Sequence, residues 1–136
     1  MLDNTDRRIL VVLSENSRIT MKELGEKVHL TGQAAAARVE KLEDHGIIEG
    51  YTIKLNQAKL GYSIHAFINI YTQSPDHRPY LTYIKEQAEY IINNYKISGD
   101  GCYLLECKFP SNERLDQFLI DLNKHANYKL TIVINK

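Results

Sequence analysis

Apolar positions in the first 46 residues recur at helical spacing. Ile9, Leu10 and Leu13, with Leu2 and Asp6 one or two turns back, form the stripe of a first helix that Asp3 or Thr5 caps. The polar cluster SENSR, residues 14–18, ends it. Thr20 with Glu23 three residues on is a capping box that opens a second helix, whose inward pair is Leu24 and Val28. His29-Leu30 is a break. Thr31 caps a third helix running to about Asp44 and stopped by Gly46, with Ala35, Val39 and Leu42 inward at i, i+4 and i+7. IIEGYTIKL, residues 47–55, alternates and predicts a strand.

From residue 64 the pattern changes to strand and helix in alternation. IHAFINIY (64–71) is the first strand. A helix follows from about Pro79 to Ala88, with Leu81, Ile84 and Ala88 inward. YIINNYKI (90–97) and CYLLECKF (102–109) are strands joined by the turn SGDG. Ser111 caps a second helix that buries Leu115, Phe118, Leu119 and Leu122, and KLTIVIN (129–135) is the last strand. The order βαββαβ predicts a ferredoxin-like domain whose helices cover one face of an antiparallel sheet. The other face needs a cover, and a second subunit is the simplest one. The expected division is a helix-turn-helix domain at 1–50, a strand and linker at 51–63, and the ferredoxin-like domain at 64–136.

Composition narrows the class. Hydrophobic residues are 43% and charged residues 25% of 136, ordinary for a globular chain, and net charge is zero. No run reaches membrane-spanning length and the start MLDNTDRR lacks a signal-peptide core, so a cytoplasmic protein without membrane partners is expected. Cys102 and Cys107 fall on one expected strand with opposite facing, which argues against a bond between them. The five histidines (29, 45, 65, 77, 125) are scattered, and no HExxH, GxSxG or paired-cysteine motif occurs. Neither an enzyme nor a metal or other cofactor is expected.

Residues 20–42 carry the chemistry. Two helices joined by a three- or four-residue turn make a helix-turn-helix, whose second helix enters the major groove of duplex DNA. With Ala35, Val39 and Leu42 inward, the outward face is assigned Gln33, Ala34, Ala37, Arg38 and Lys41. Gln33 pairs with adenine and Arg38 with guanine in two-bond geometry. Lys41 reaches phosphate, and Thr31 with the free N–H groups at the helix start holds another. Short alanines let a helix lie deep in the groove, and they leave few specific bonds, so shape and bending carry much of the recognition. Their bland role is to raise helix propensity. Residues 1–55 hold eight Lys/Arg against nine Asp/Glu, a difference of minus one. A DNA interface therefore requires sorting, with Arg18, Lys22, Arg38 and Lys41 on one side and Glu40, Glu43 and Asp44 away from it. The acidic balance keeps a protein-binding module as a rival.

RRILVVLSENSRITMKELGEKVHLT, RVEKLEDHGIIEGYTIKLN, LGY and ISGDGCYLLECKF together resemble the Lrp/AsnC, or feast/famine, transcription regulators over nearly the whole chain. The resemblance implies α+β architecture: an N-terminal winged helix-turn-helix followed by a ferredoxin-like domain. It implies a homodimer formed through the sheets, assembly to an octamer, an amino-acid effector between subunits, and duplex DNA as partner. It places Thr31, Gln33, Ala34, Ala37, Arg38 and Lys41 on the recognition helix. The family's effector turn commonly reads Gly-Asp-aromatic-Asp; here Gly99 and Asp100 match, while Gly101 and Cys102 replace the rest and Tyr103 follows. Either this is an effector site built from residues 99–103, or SGDG is a tight turn only. A DNA-architectural or sensing protein with little sequence specificity and no effector is the alternative. The segment 51–55 either touches DNA backbone as a wing or tethers the domains.

Overall fold

A computed structural model describes all 136 residues, and the chain divides into two compact units, Met1–Lys54 and Leu55–Lys136. No helix is long and apolar enough to cross a membrane.

The first unit contains α1 (Asn4–Glu15), α2 (Met21–Val28) and α3 (Gly32–Asp44). Asp3 caps α1: its carboxylate accepts the Asp6 N–H at 2.8 Å and Asp6 accepts the Asp3 N–H at 3.2 Å, a reciprocal box. Thr20 caps α2 differently from the expected box. Its hydroxyl accepts from the Glu23 N–H at 3.1 Å and donates to the Glu23 carboxylate at 2.8 Å, so that carboxylate is used on the hydroxyl. The core is Ile9, Leu13, Ile19, Leu24, Val28, Ala35, Val39 and Leu42, all buried. Each large member contributes about 1.5–3 kcal/mol through removal from water. Arg8 Nη2 donates to the Lys27 carbonyl at 2.7 Å, fixing the end of α2 to α1.

Residues 47–55 form no strand, contrary to the alternation. A strand needs a partner for its N–H and C=O groups, and this segment has no sheet neighbour within its unit. The apolar half of the alternation stands in solvent, with Ile53 at 74% exposure and Tyr51 at 51%. Tyr51 is anchored at one point, where its hydroxyl donates to Glu43 at 2.9 Å.

The second unit has β1 (Ile64–Thr72), α4 (Arg78–Glu86), β2 (Ile91–Lys96), β3 (Tyr103–Phe109), α5 (Asn112–Leu122) and β4 (Ala126–Ile132). The sheet order is β2-β3-β1-β4, antiparallel throughout, with Ile68 opposite Leu105 on one side and Leu130 on the other. This is the expected ferredoxin-like arrangement. β3 alternates strictly, with Tyr103, Leu105, Cys107 and Phe109 buried against the helices. All four α5 residues assigned inward are buried.

Three details differ from the sequence reading. Leu81 is exposed, and the inward face of α4 is Tyr80, Tyr83 and Ile84. The tyrosines take the inward places because their hydroxyls find partners there: Asn94 Oδ1 for Tyr80 at 2.9 Å and the Phe118 carbonyl for Tyr83 at 2.8 Å. Ala88 lies past the helix, in a short 3₁₀ turn (Ala88–Tyr90). β4 begins three residues early, at Ala126, whose small side chain is fully buried opposite Thr72.

The helix-free sheet face carries His65, Phe67, Asn69 and Tyr71 from β1, Leu104 and Glu106 from β3, and Asn93 and Tyr95 from β2. Phe67 and Leu104 are only half-buried. Glu106 sits 2.7 Å from His65 Nε2 and accepts from Asn93 Nδ2 at 2.9 Å. Burial raises its pKa, and the hydrogen bonds from Asn93 and His65 outweigh that and hold it below the ordinary value. Cys107 is buried, its thiol pushed up to about 12, while Cys102 is half-exposed, and both are free.

Candidate nucleic-acid interface

α2 and α3 are joined by His29, Leu30 and Thr31. His29 adopts the left-handed conformation (φ 61°) that turns the chain, and the Leu30 N–H returns to the Gly25 carbonyl at 2.8 Å. Two glycines permit the tight packing. A Cβ on Gly25 would stand 2.5 Å from the Leu30 carbonyl oxygen, and one on Gly32 would stand 3.2 Å from Lys22 Cα. The start of α3 is thereby pressed against the start of α2, and Lys22 lies beside it.

Thr31 caps α3 by accepting the Ala34 N–H at 3.1 Å. This leaves other first-turn N–H groups free to bind an anion. Thr31→Ala should cost about 1 kcal/mol of stability, and Thr31→Asn should restore it, because the cap needs only a side-chain acceptor. Thermal unfolding of the two variants checks this.

The spacing along α3 resolves two stripes. Opposite the buried Ala35, Val39 and Leu42 lie Gln33, Ala37, Glu40 and Asp44, all exposed. Along one shoulder lie Ala34, Arg38, Lys41 and His45. Arg38 is thus not on the outward face. It follows Ala35 by three residues, which rotates it to the edge of the packed surface, and its Nη1 lies 2.6 Å from Asp3 Oδ2 and 3.2 Å from Asp6 Oδ1. The backbone of Asp6 and the Arg38 guanidinium lower the Asp3 carboxyl's pKa, and the two carboxylates raise that of Arg38.

The charge sorting is partial for the same reason. Arg18, Lys22 and Lys41 are exposed and outside every ion pair of the structure, whereas Arg38 is engaged. Glu43 leaves the outward face and holds Tyr51. Glu40 and Asp44 stay on it, in the C-terminal half of α3. Glu40 is seven residues beyond Gln33, about 10 Å along the helix. The carboxylate-free part of α3 is therefore confined to its first two turns, which carry Gln33, Ala34 and Ala37 after the Thr31 cap, with Lys22 beside their start and Lys41 further along the shoulder.

In the second unit, the turn 98–101 reaches back to β1. The Cys102 N–H donates to the Ile70 carbonyl at 2.7 Å, and Asn69 Nδ2 donates to the Asp100 carbonyl at 2.9 Å. The Asp100 carboxylate accepts from the Tyr71 hydroxyl, which raises that phenol's pKa, and lies 3.7 Å from Lys129 Nζ. Cys102 Sγ is 3.3 Å from Thr72 Oγ1, and bonding to the Thr72 side chain and backbone lowers the thiol's pKa. Asp100 thus meets Asn69, Tyr71 and Lys129 on the helix-free face, while Cys102 meets Thr72 and packs against the core on the helix side. Tyr103 does not join Asp100. The strand alternation turns it inward, where it is 6% exposed, bonded to His77 Nδ1 at 3.0 Å and packed on Tyr80. Asn69, Tyr71 and Lys129, which meet Asp100, are residues that sequence reasoning missed; their outward places on β1 and β4 were available from the alternation once the strand order was known.

Comparison with known proteins agrees with both units. Residues 2–49 match the family described as winged helix-turn-helix DNA-binding. The chain is 68% identical over 136 residues to the HTH-type transcriptional regulator LrpA of Bacillus subtilis, covering all of both chains. Among solved structures, LrpC of B. subtilis is similar with a TM-score of 0.92 and 29% identity, covering 100% of this chain and 96% of that one. A feast or famine regulatory protein from Mycobacterium tuberculosis, complexed with L-methionine, is similar with a TM-score of 0.87 and 27% identity, covering 100% and 94%.

Proposed function

The chain belongs to the Lrp/AsnC family of DNA-binding transcriptional regulators, and on that premise we propose how its surfaces divide the work. The first two turns of α3 enter the major groove. Gln33 bonds a base edge, Ala34 and Ala37 allow close approach, and the start of α3, with Thr31, meets a phosphate. Arg18, Lys22 and Lys41 hold the backbone on either side. The observation that carries this reading is the exposed, carboxylate-free start of α3 between two cations that no acid of the chain neutralises.

The half-buried Phe67 and Leu104 on the open sheet face favour a second copy of the chain as cover. A dimer of that kind sets two α3 helices about 34 Å apart, one turn of DNA, and octamers follow from further pairing of dimers. The cluster around Asp100 is the place for an effector. Its mixed carboxylate, phenol and ammonium groups suit the two charges of a free amino acid, and a similar regulator is complexed with L-methionine. These roles are binding, without catalysis, in the cytoplasm.

The test is a salt series. Lys22→Ala with Lys41→Ala should lower the slope of log K against log salt by about 1.8, because each cation neutralises one phosphate worth about 0.9. Electrophoretic or fluorescence titrations with duplex DNA read it. A slope equal to the parent's would remove both lysines from the interface.

A further inference from the structure

Arg38 is the cation of both side-chain ion pairs of the first unit, and the two acids belong to the cap of α1. Asp3 and Asp6 each accept the other's backbone N–H, so their carboxylates are held close to one another. Two such anions repel unless a cation stands against both. The Arg38 guanidinium takes that position through one nitrogen, 2.6 Å from one oxygen and 3.2 Å from another. The Arg38 side chain is 35% exposed, Asp6's 13% and Asp3's 54%, so the contact with Asp6 is partly shielded from water and the one with Asp3 is open to it. An arginine that left it to read guanine would leave both carboxylates without their counter-charge.

We infer that Arg38 is a positioning residue: it ties the DNA-facing helix α3 to the cap of α1, fixes how Gln33, Ala34 and Ala37 are presented, and itself contacts neither base nor phosphate. This rests on the reading that α3 faces DNA. The clamp joins the first residues of the unit to its last helix, where the packed core leaves α3's shoulder open. Without Arg38, α3 is held by its buried stripe of Ala35, Val39 and Leu42, and its open shoulder loses its tie to the start of α1.

The experiment uses the full chain and three variants: Arg38→Ala, Asp3→Asn with Asp6→Asn, and all three together. Asparagine keeps the cap acceptor and removes only the charge. Two duplexes are titrated, one enriched by the parent protein from a random-sequence pool and an unrelated one of equal length. Their affinity ratio cancels the general gain from losing two negative charges. At a temperature where circular dichroism finds every variant folded, Arg38→Ala and the double asparagine variant should each lower that ratio by about tenfold, as for contacting residues. The triple variant should be no worse than Arg38→Ala, and the salt slope of Arg38→Ala should equal the parent's.

A slope reduced by about 0.9 would make Arg38 a phosphate contact and overturn the inference. So would a double asparagine variant with the parent's ratio, or an Arg38→Ala loss confined to one base pair of the enriched site. A parent that enriches no duplex would sink the DNA reading instead. In that case the thermal midpoints of the same variants still report on the clamp, and additive shifts would overturn it.

Discussion

Gly25→Ala is expected to lower the thermal midpoint of the helix-turn-helix unit by roughly 10 °C, from a net loss of about 2 kcal/mol at 4–8 °C each. The position is helical and buried, so two effects oppose each other. Alanine is the better helix former by about 1 kcal/mol. Against that, its Cβ would stand 2.5 Å from the Leu30 oxygen and 2.9 Å from the Thr31 carbonyl carbon and oxygen. All are backbone atoms, so no side-chain rotation relieves the clash. Forcing a methyl into such a contact costs about 1–3 kcal/mol, occasionally more, and here the top of the range applies. The turn must move away from α2, and α3 moves with it, so DNA affinity should fall in the same variant. Gly50→Ala is the control, since nothing lies within 4 Å of its added Cβ. Circular dichroism melts of both variants decide the matter; an unchanged midpoint for Gly25→Ala would mean that α2 and the turn are looser than the structure describes.

The sequence carried these elements unevenly, and the reasons are physical. Thr20, Thr31 and Ser111 start helices because a short side-chain acceptor before a periodic run satisfies N–H groups that nothing else reaches, and each does so here. On α5, Leu115, Phe118, Leu119 and Leu122 share one helical stripe and Ile120 falls off it, so periodicity alone placed them. On α4 there was a competitor. Tyrosine reads as amphipathic, and only the positions of Asn94 and the Phe118 carbonyl decide that Tyr80 and Tyr83 go in and Leu81 out. Residues 47–55 have strand alternation, but alternation states a preference and pairing requires a neighbour that no single unit supplies. At the interface, the inward triad of α3 was legible, and with it Gln33 and Ala37 opposite, but Ala34, Arg38 and Lys41 lie on a shoulder and Glu40 and Asp44 stand on the outward stripe. Arg38 was misplaced by a single step of the helical wheel. Its true setting depended on Asp3 and Asp6, more than thirty residues away, which local spacing cannot reveal.

Gly101→Ala should cost the second unit about 3 kcal/mol, from backbone strain of order 1–3 kcal/mol together with a clash of similar size. Gly101 has φ 101°, a conformation that side-chain-bearing residues adopt only under strain. Its Cβ would also stand 2.7 Å from the Ile70 oxygen. That oxygen already accepts the Cys102 N–H at 2.7 Å, the bond that pins the turn to β1. Relieving the contact means breaking this bond, and the β1–β3 ladder then loses its end at Ile70 and Tyr103. Gly99→Ala separates the two causes: φ 146° makes it strained as well, but nothing lies within 4 Å, so it should cost only the conformational part, about 1 kcal/mol. Denaturant unfolding of the pair measures the difference. The turn also holds Asp100 against Tyr71 and Lys129, so a shifted turn separates the groups proposed to meet an amino acid. A thermal-shift titration with a panel of amino acids should therefore find a stabilising ligand for the parent and for Gly99→Ala, and a weakened response for Gly101→Ala. Equal stability of the two alanine variants would show that the contact with Ile70 is not formed, and an equal ligand response would take the turn out of the effector site.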